Sequence, residues 1–368
     1  MELIKNIGKK FALCGEILSA NAFGDGHIND TFLVSVSAPD GEKKYVLQRI
    51  NTRVFRNPEA VMQNISAVTD YMRAHLKASG RDAEREAVSI VKALDGKSYI
   101  TDDEGFAWRV LNYVTNSKSY TRPTRLLQIY DAAYAFGKFQ SDLSGFAIDS
   151  ITETIPRFHD TENRLCNLIS AGERDEFSRL SEVKGEYEFA LARRSACKTL
   201  SDMYKEGKIP LRVTHNDTKL NNVLFDKTTD KPICVVDLDT VMPGFSAHDF
   251  GDFVRFSATS AEEDEGDLSK VNFDLEKYEL CVKGFLDGTG GALTENEVGM
   301  LSFGAIIMTL ECGIRFLTDY LSGDVYFKTS REKQNLDRAK NQFKLVSDME
   351  DNYAKMCEIV NKYAQKGV

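Results

Sequence analysis

Two apolar runs, each joined to a cluster of polar side chains, dominate residues 213–239 of this chain. The polar side chains are Asp217, Lys219, Asn222, Asp237 and Asp239. Residues 226–232 separate the runs and have the composition of a turn, so we expect the runs to pair as a hairpin. The hairpin would bring carboxylates, an amide oxygen and one ammonium group to one end of a small sheet. Such a set of groups suits Mg²⁺ and phosphate oxygens.

The first cluster has the spacing His-x-Asp-x-x-x-x-Asn, formed by His215, Asp217 and Asn222. This is the spacing of the catalytic loop in protein-kinase-like enzymes. In that pattern Asp217 accepts the proton of the attacking hydroxyl, while Asn222 and a downstream aspartate, here Asp237, hold Mg²⁺. Lys219 would lie near the transferred phosphoryl group. An ordinary hairpin with Asn and Asp turns is the alternative, but the second acidic cluster follows where the pattern requires it.

The second aspartate of the later cluster, Asp239, has three possible roles. It could assist the metal, contact the substrate or cap the turn, and the sequence leaves these alternatives open. We include Asp239 with Asn222 and Asp237 in the candidate metal set.

Composition describes a soluble globular protein with room for two domains. The chain has 368 residues, of which 42% are hydrophobic and 28% are charged, and its net charge is -9. The negative charge argues against nucleic-acid partners and anionic membranes, and no apolar run reaches the length of a membrane span. Seven cysteines without a CxxC pair, and a start without a signal-peptide pattern, predict a cytoplasmic protein. We expect a monomer or a small homo-oligomer.

The order of predicted elements indicates an α+β protein with the bilobal layout of protein kinases. Residues 1–112 predict a small, mostly antiparallel sheet with one long helix at 58–78, the nucleotide-binding lobe. Residues 113–368 predict a larger helical lobe that carries the hairpin, the catalytic site and the substrate site. Within these lobes, residues 1–20 and 295–321 are each predicted as one helix, and 331–362 as another.

Candidate nucleotide-binding residues lie in the first lobe and at its end. Glycines before a strand let backbone N–H groups approach phosphate. The strand that usually carries a phosphate-binding lysine has Gln48 at that position and Arg49 after it. The two side chains point to opposite faces, and either could touch phosphate. The alternative for Arg49 is an exposed surface residue without a ligand. The end of the strand at 106–114 is the expected hinge for adenine. The candidates are Gly24, Gly26, Asn29, Gln48, Arg49, Asn112 and Val114.

Four segments of the chain resemble N-acetylhexosamine 1-kinases, within the aminoglycoside-phosphotransferase-like branch of the kinase superfamily. They are residues 24–30, 45–51, 237–252 and 311–320. The resemblance implies ATP and Mg²⁺ as cofactors and transfer to the anomeric hydroxyl of GlcNAc or GalNAc. It also implies the base role for Asp217, the metal roles for Asn222 and Asp237, and a subfamily origin for the Gln48-Arg49 departure.

Two features favour a small-molecule substrate independently of that resemblance. Residues 238–248, eleven in number, are all that separates Asp237 from Asp249, which leaves no room for an activation segment. Asn216 also replaces the Arg of His-Arg-Asp. Asp249 itself is interpreted as a structural residue that binds the backbone of the catalytic loop.

Candidate substrate contacts besides Asp217 come from three places. Glu311, Arg315 and Asp319 recur every four residues on one predicted helix and offer both acceptors and donors to sugar hydroxyls. A partly buried salt-bridge ladder that only fixes packing is the alternative for these three. His27, on the glycine turn, could reach a sugar, and Phe245 could stack on one.

Two other functions remain open. One is a kinase of another small alcohol, such as an amino alcohol or an aminoglycoside. The other is a non-catalytic nucleotide-binding module, which the missing strand lysine would explain. A metal hydrolase that uses Asp237 and Asp239 is disfavoured, because no His-rich ligand set accompanies them.

Overall fold

The structure, a computed structural model, describes residues 2–24 and 28–365. The strands are β1 (Glu16–Ala22), β2 (Asp30–Ala38), β3 (Gly41–Arg49), β4 (Ile90–Val91), β5 (Ile100–Thr101), β6 (Ala107–Asn112), β7 (Ser117–Lys118), β8 (Arg212–Thr214), β9 (Val223–Asp226), β10 (Pro232–Val235) and β11 (Met242–Gly244). The helices are α1 (Glu2–Gly8), α2 (Pro58–Ala78), α3 (Ala83–Glu86), α4 (Leu127–Asp142), α5 (Thr161–Arg174), α6 (Lys184–Ala192), α7 (Thr199–Lys205), α8 (Ser246–Ser257), α9 (Leu275–Thr289), α10 (Glu295–Gly299), α11 (Leu301–Leu321), α12 (Gln334–Asp351) and α13 (Tyr353–Ala364).

The chain forms two compact units that are discontinuous in sequence. Unit 1 contains Met1–Ser119, Gly145–Pro156 and Val223–Pro243, and unit 2 contains Tyr120–Ser144, Arg157–Asn222 and Gly244–Val368. The predicted lobe boundary at residue 112 therefore does not coincide with the boundaries of the compact units. The difference arises because the predicted hairpin forms as β9 and β10, and β9 then pairs with β7 inside unit 1.

Unit 1 is built on an antiparallel sheet, as the sequence predicts. The strand order is β1-β2-β3-β6-β4, and β5 also pairs with β6. Helix α2 begins at Pro58, which needs no N–H donor there, and the Asn57 side chain caps the N–H of Ala60 at 3.1 Å. Trp108 belongs to the hydrophobic core of this unit and donates its indole N–H to Asp102 at 2.7 Å.

The prediction of one helix over residues 1–20 is wrong. Helix α1 ends at Gly8, and β1 begins at Glu16 and pairs with β2 from Glu16 opposite Ser37 to Ala22 opposite Phe32. Local apolar spacing favoured a helix. The backbone hydrogen bonds and cross-strand contacts offered by β2 outweigh that weak preference.

Unit 2 is helical, and its central element is α11. Helix α11 packs against α5, α8 and α12, while α4 packs against α9. Within the described part of the chain α11 alone is long and apolar enough to cross a membrane, but 83% of its apolar window is buried in the protein. Helix α11 is therefore a core helix. The sheet-rich N-terminal region and the helical C-terminal part together confirm the predicted α+β class.

Two predicted long helices are each divided. The segment 295–321 breaks at Met300 into α10 and α11, and α10 starts with a capping box between Thr294 and Glu297. The segment 331–362 breaks at Asn352 into α12 and α13. Apolar periodicity continued through both breaks and did not reveal them.

Candidate functional site

A cavity of about 240 Å³ lies within unit 1 and contains many of the predicted nucleotide-binding residues. Its lining includes the predicted residues Gly24, Gln48, Asn112, Val114 and Asp237. Gly24 has a φ of +76°, a left-handed conformation that suits glycine. Gly26 and His27 lie outside the described residues. The structure thus brings together side chains from a turn, two strands and the segment after the hairpin.

The sheet face that lines this cavity changes from apolar to polar along paired strands β3 and β6. Val46 is opposite Leu111, and two residues further along Gln48 is opposite Arg109. Residues two apart on a strand share a face, so all four side chains face the same side, and all four line the cavity. The polar pair is joined directly, because Arg109 Nε donates to Gln48 Oε1 at 2.9 Å.

Arg49 lies on the opposite face of the sheet. Its Nε donates to Asp30 at 2.7 Å, and its guanidinium lies 4.6 Å from the ring centroid of Phe106. It is also absent from the lining of the cavity. Of the two candidates for the position of the strand lysine, Gln48 therefore lines the cavity and Arg49 does not.

The predicted hinge after β6 leaves one backbone donor available. The N–H of Asn112 donates to Ser89 at 3.0 Å, and the N–H of Tyr113 donates to Lys44 at 3.4 Å. The N–H of Val114 donates to no group in the described ranges. Val114 is therefore the residue at which a base could accept a backbone hydrogen bond.

The two aspartates of the 237–239 segment have different surroundings. Asp237 lines the cavity and has a φ of 63°, a conformation that few residues other than glycine adopt and that often marks functional sites. Asp239 is buried, and its two oxygens accept from Arg109 and from Asn29. A metal role for Asp239 would require this ion pair to open.

Asn29, which donates to Asp239, does not line the cavity. Its amide oxygen also accepts from the N–H of Asn51 at 2.9 Å. Asn29 therefore fixes the segment after the glycine turn to both Asp239 and the end of β3.

A larger cavity, of about 540 Å³, lies elsewhere in unit 1 beside Lys9, Lys97 and Ile100. No residue of the candidate site lines it. Size alone therefore does not identify the functional cavity of this unit.

The catalytic loop lies in unit 2 and is held by two aspartates of α8. Asp249 accepts from the N–H groups of His215 at 2.9 Å and Asn216 at 2.8 Å, so its predicted structural role is confirmed. Asp252 accepts from the N–H of Thr218 at 2.8 Å. The loop backbone around Asp217 is therefore fixed on both sides by charge-assisted hydrogen bonds.

Two residues explain why this loop tolerates its conformation. Asn216 has a φ of 63°, and asparagine is one of the few residues that adopt the left-handed region readily. Gly244 lies against the loop, where a Cβ atom would come within 2.3 Å of Thr214 Oγ1. The position that carries Arg in protein kinases is thus occupied here by a residue suited to the local backbone.

The predicted base, Asp217, forms a compact group with Lys219 and Asn222. Lys219 Nζ lies 2.6 Å from Asp217 Oδ1, and Asn222 Nδ2 donates to Asp217 Oδ2 at 3.2 Å and to its backbone oxygen at 2.8 Å. Burial opposes ionisation, but the Lys219 ammonium outweighs it and holds the pKa of Asp217 below its usual value. Asp217 is therefore a carboxylate throughout the neutral range.

Replacing Lys219 by Met is expected to move the acid limb of the pH profile. Without the ammonium, the largest effect that offsets burial is lost, so the pKa of Asp217 rises. The carboxylate is then lost at a higher pH, so the fall of kcat/KM on acidification begins earlier than in the parent protein. Lys227→Met, an exposed change in the hairpin turn, is the matched control. An unshifted acid limb in Lys219→Met would contradict the assignment.

Glu311 lies close to the catalytic loop and is almost fully buried. It accepts from His159 Nδ1 at 2.8 Å and from Thr161 Oγ1 at 2.6 Å. Burial alone would raise its pKa, but His159 and Arg315 lower the pKa of Glu311 to about 2. His159 Nε2 lies 3.4 Å from the backbone oxygen of Asn216, so this network connects α11 with the loop.

Arg315 follows Glu311 by one helical turn on the same face of α11. Its guanidinium lies 5.7 Å from the ring centroid of Phe158 and 5.4 Å from that of Phe327. No carboxylate in the described part of the chain forms an ion pair with it. Arg315 is therefore a cation held by aromatic rings, with donors left for a ligand.

The other predicted substrate residues have different positions. Phe245 is half-buried and contacts the rings of Tyr204 and His248, with centroids 5.8 and 5.1 Å away. Asp319 is buried, and its oxygens accept from the N–H groups of 325–327 and from Asn335, at 2.8–3.0 Å. With four donors already bound, Asp319 orders the segment after α11.

Replacing Asp319 by Ala is accordingly expected to destabilise unit 2 and to leave substrate recognition little changed. Loss of four hydrogen bonds to a buried carboxylate should lower the free energy of unfolding by about 3 kcal/mol. Thermal and urea unfolding measure this change, with the exposed Asp351→Asn as control. A normal unfolding transition with a raised KM for the acceptor would instead support the predicted substrate contact.

Two site residues escaped the sequence prediction. No sequence motif marks Arg109 within its strand, and only the register of β6 against β3 places it opposite Gln48. His159 lies in a loop before α5, and its sequence neighbours carry no recognisable motif. The pattern that could have found Arg109 is a basic residue two positions before an apolar one on the last strand of the sheet.

The chain matches the phosphotransferase enzyme family, APH, over residues 19–281, more than half of its length. Among solved structures it is similar to a choline kinase from Cryptosporidium parvum Iowa II, with 14% identity, a TM-score of 0.57 and coverage of 99% of both chains. It is also similar to a choline/ethanolamine kinase family protein from Mesorhizobium loti, with 14% identity, a TM-score of 0.54 and coverage of 98% of this chain and 100% of that one.

The chain is also similar to a spectinomycin phosphotransferase that was solved in complex with ADP and spectinomycin. The identity is 14% and the TM-score is 0.52, with coverage of 99% of this chain and 98% of that one. At such identities these likenesses establish the fold alone, which is that of the protein-kinase-like enzymes. The family match covers the glycine turn, the catalytic loop and the 237–239 segment. The chain therefore belongs to the APH phosphotransferase enzyme family.

Proposed function

We propose that this protein is an ATP-dependent kinase that phosphorylates the anomeric hydroxyl of an N-acetylhexosamine. The observation that carries the proposal is the Asp217 group in unit 2, an ionised carboxylate paired with Lys219 and fixed by Asn222. The family match and the cavity of unit 1, with its apolar and polar parts, support a nucleotide as phosphoryl donor.

In this proposal Asp217 orients the acceptor hydroxyl and takes its proton as the phosphoryl group is transferred. A carboxylate with a low pKa is a weak base, so its main contribution is to position the hydroxyl and to receive the proton late, as the bond to phosphorus forms. Lys219 places a positive charge beside Asp217, where negative charge on the phosphoryl oxygens would be neutralised. Asp249 and Asp252 hold the loop backbone in place, so that no reorganisation is needed during transfer.

The residues proposed for the metal fit Mg²⁺ by their chemistry. Asp237 offers carboxylate oxygens and Asn222 an amide oxygen, the hard ligands that Mg²⁺ prefers. Asn222 uses its amide nitrogen on Asp217, which leaves the amide oxygen for a ligand. Among residues 2–24 and 28–365 no three or more His, Cys, Asp and Glu side chains gather as a metal site. When bound, Mg²⁺ supplies charge neutralisation for the phosphates.

The charges near the catalytic loop favour a neutral acceptor over a cationic one. Glu311 is buried and already engaged by His159 and Thr161, so it offers no exposed carboxylate to an ammonium group. Arg315, by contrast, has unused donors. An acetamido oxygen and sugar hydroxyls can accept from Arg315, whereas an amino alcohol or aminoglycoside would bring a second positive charge.

The test is a set of acceptors that differ in one group at a time. We expect ATP consumption with GlcNAc or GalNAc, and much less with glucosamine, whose free amine is protonated, or with choline. Arg315→Met should reduce the difference in kcat/KM between GlcNAc and glucosamine, because the positive charge that repels the glucosamine ammonium is removed. Lys328→Met, in the segment after α11, is the control. A preference for choline or an aminoglycoside would overturn the acceptor assignment, and ATP binding without consumption would support a non-catalytic module.

A further inference from the structure

We propose that Arg109 binds the α- and β-phosphates of the nucleotide and takes the place of the strand lysine that this chain lacks. The inference rests on the proposed function, because it requires an adenine nucleotide in the cavity of unit 1. In protein kinases a lysine on the strand equivalent to β3 performs this task. Here β3 carries Gln48, and the cation is on the neighbouring strand.

The register of the two strands puts Arg109 beside the usual lysine position. Gln48 and Arg109 are directly opposite each other, and neighbouring strands lie about 4.8 Å apart. The long side chain of arginine can span that offset. Gln48 stabilises the arrangement, since its oxygen accepts from Arg109 Nε and its Nε2 donates to Thr31 at 3.1 Å.

The burial and pairing of Arg109 resemble those of an oriented binding group. Its side chain is 1% exposed and forms an ion pair with Asp239, which is 4% exposed. In protein kinases a glutamate from the helix orients the lysine. On α2 the acid near the start, Glu59, is exposed, and the counter-charge for Arg109 comes instead from Asp239, in the segment after the hairpin.

One part of the guanidinium remains available to a ligand. Nε donates to Gln48 and Nη1 donates to Asp239, while Nη2 donates to no group in the described ranges. Arg109 lines the cavity together with Asp237, Thr31 and Gly24. A planar fork with an unused N–H pair matches the geometry of phosphate oxygens.

The other basic residues of this region fit the role less well. Arg49 is on the opposite face of the sheet with Asp30 and Phe106. Lys118 lines the cavity, but it is on β7 beyond the hinge, and its ammonium lies 3.0 Å from Asp230 in the hairpin turn. Arg109 is the cation that shares the polar part of the sheet face.

The experiment compares the binding of ADP and adenosine by calorimetry in EDTA. Adenosine reports the base and ribose alone, and EDTA removes any contribution of a metal through Asp237. Arg109→Gln should lower ADP affinity about 10- to 100-fold, the range of one or two charge-assisted hydrogen bonds, while adenosine affinity changes little. Arg109→Lys keeps the charge without the fork and should give a smaller loss, which keeps the test decisive if the Gln variant does not fold. Arg53→Gln, an exposed change in the same unit, is the control.

Several results would overturn the inference. A folded Arg109 variant with an unchanged ratio of ADP to adenosine affinity would do so, and so would an equal loss of both ligands. A selective loss of ADP binding in Arg49→Gln or Lys118→Gln would move the role to that residue. If the parent protein binds neither ADP nor adenosine, the proposed function itself fails. If the parent protein binds both, and an Arg109 variant keeps the parental affinities for both, only the role of Arg109 is refuted.

Discussion

Asp217→Asn is expected to lower kcat for sugar phosphorylation by about 10²–10⁴-fold, the usual contribution of a positioned base. The substitution preserves size, so the hydrogen bonds of the loop backbone to Asp249 and Asp252 should remain. It removes the negative charge that pairs with Lys219 and the group that accepts the proton. Steady-state kinetics with saturating ATP and acceptor measure the effect.

The control for this change is Asp202→Asn, which alters an exposed carboxylate on α7 in the same unit. Circular dichroism and thermal unfolding should show both variants folded. A folded Asp217→Asn protein that forms sugar 1-phosphate at the parental rate would exclude Asp217 as the base.

Asp237→Asn should have the second largest effect, a loss of about 10³-fold in turnover. An amide keeps the shape of the side chain but weakens metal binding, because it carries no charge to match Mg²⁺. The requirement for Mg²⁺ should also move to higher concentrations. Titration of activity with Mg²⁺ at fixed ATP separates the two effects, since a weakened metal site is partly rescued by excess metal.

The matched change for Asp237 is Asp70→Asn, an exposed position on α2 of the same unit. It should leave both the rate and the Mg²⁺ dependence unaltered. If Asp237→Asn behaves like Asp70→Asn, the metal role must belong to another group. Asp239 would then be tested next, at the cost of breaking its ion pair with Arg109.

The catalytic segment could be predicted because its determinants are local. The hairpin needs only two short apolar runs and a polar turn, and β9 and β10 pair across that turn. The spacing of Asp217, Lys219 and Asn222 fits within one loop, and the structure gathers these three side chains. The predicted structural role of Asp249 is also confirmed, because its carboxylate accepts from the loop N–H groups of His215 and Asn216.

What the sequence did not reveal depends on contacts between distant segments. Arg109 faces the cavity because β3 and β6 pair in one register, and a shift by one residue would turn it to the other face. The same register turns Arg49 away. Helical spacing placed Glu311 and Asp319 on one face of α11, but their partners come from 159–161 and 325–335. Glu311 therefore lies close to the catalytic loop, whereas Asp319 orders the segment after α11.

The start of the chain illustrates the same limit at the level of secondary structure. Apolar spacing in residues 1–20 fits a helix, yet β1 forms there because β2 offers it an edge to pair with. Conversely, α2 has the predicted bounds, because Pro58 marks its start and apolar residues at helical spacing mark its extent. Local start signals were reliable, whereas a preference that competes with a neighbouring strand was not.

Phosphorus NMR of the product formed from Mg·ATP and GlcNAc shows which hydroxyl receives the phosphoryl group. We expect a new phosphomonoester resonance coupled to the anomeric proton, formed by the parent protein and almost absent with Asp217→Asn. Phosphate on another hydroxyl of the sugar would contradict the proposed site of transfer. Product from an amino alcohol or aminoglycoside, with none from any N-acetylhexosamine, would contradict the proposed function.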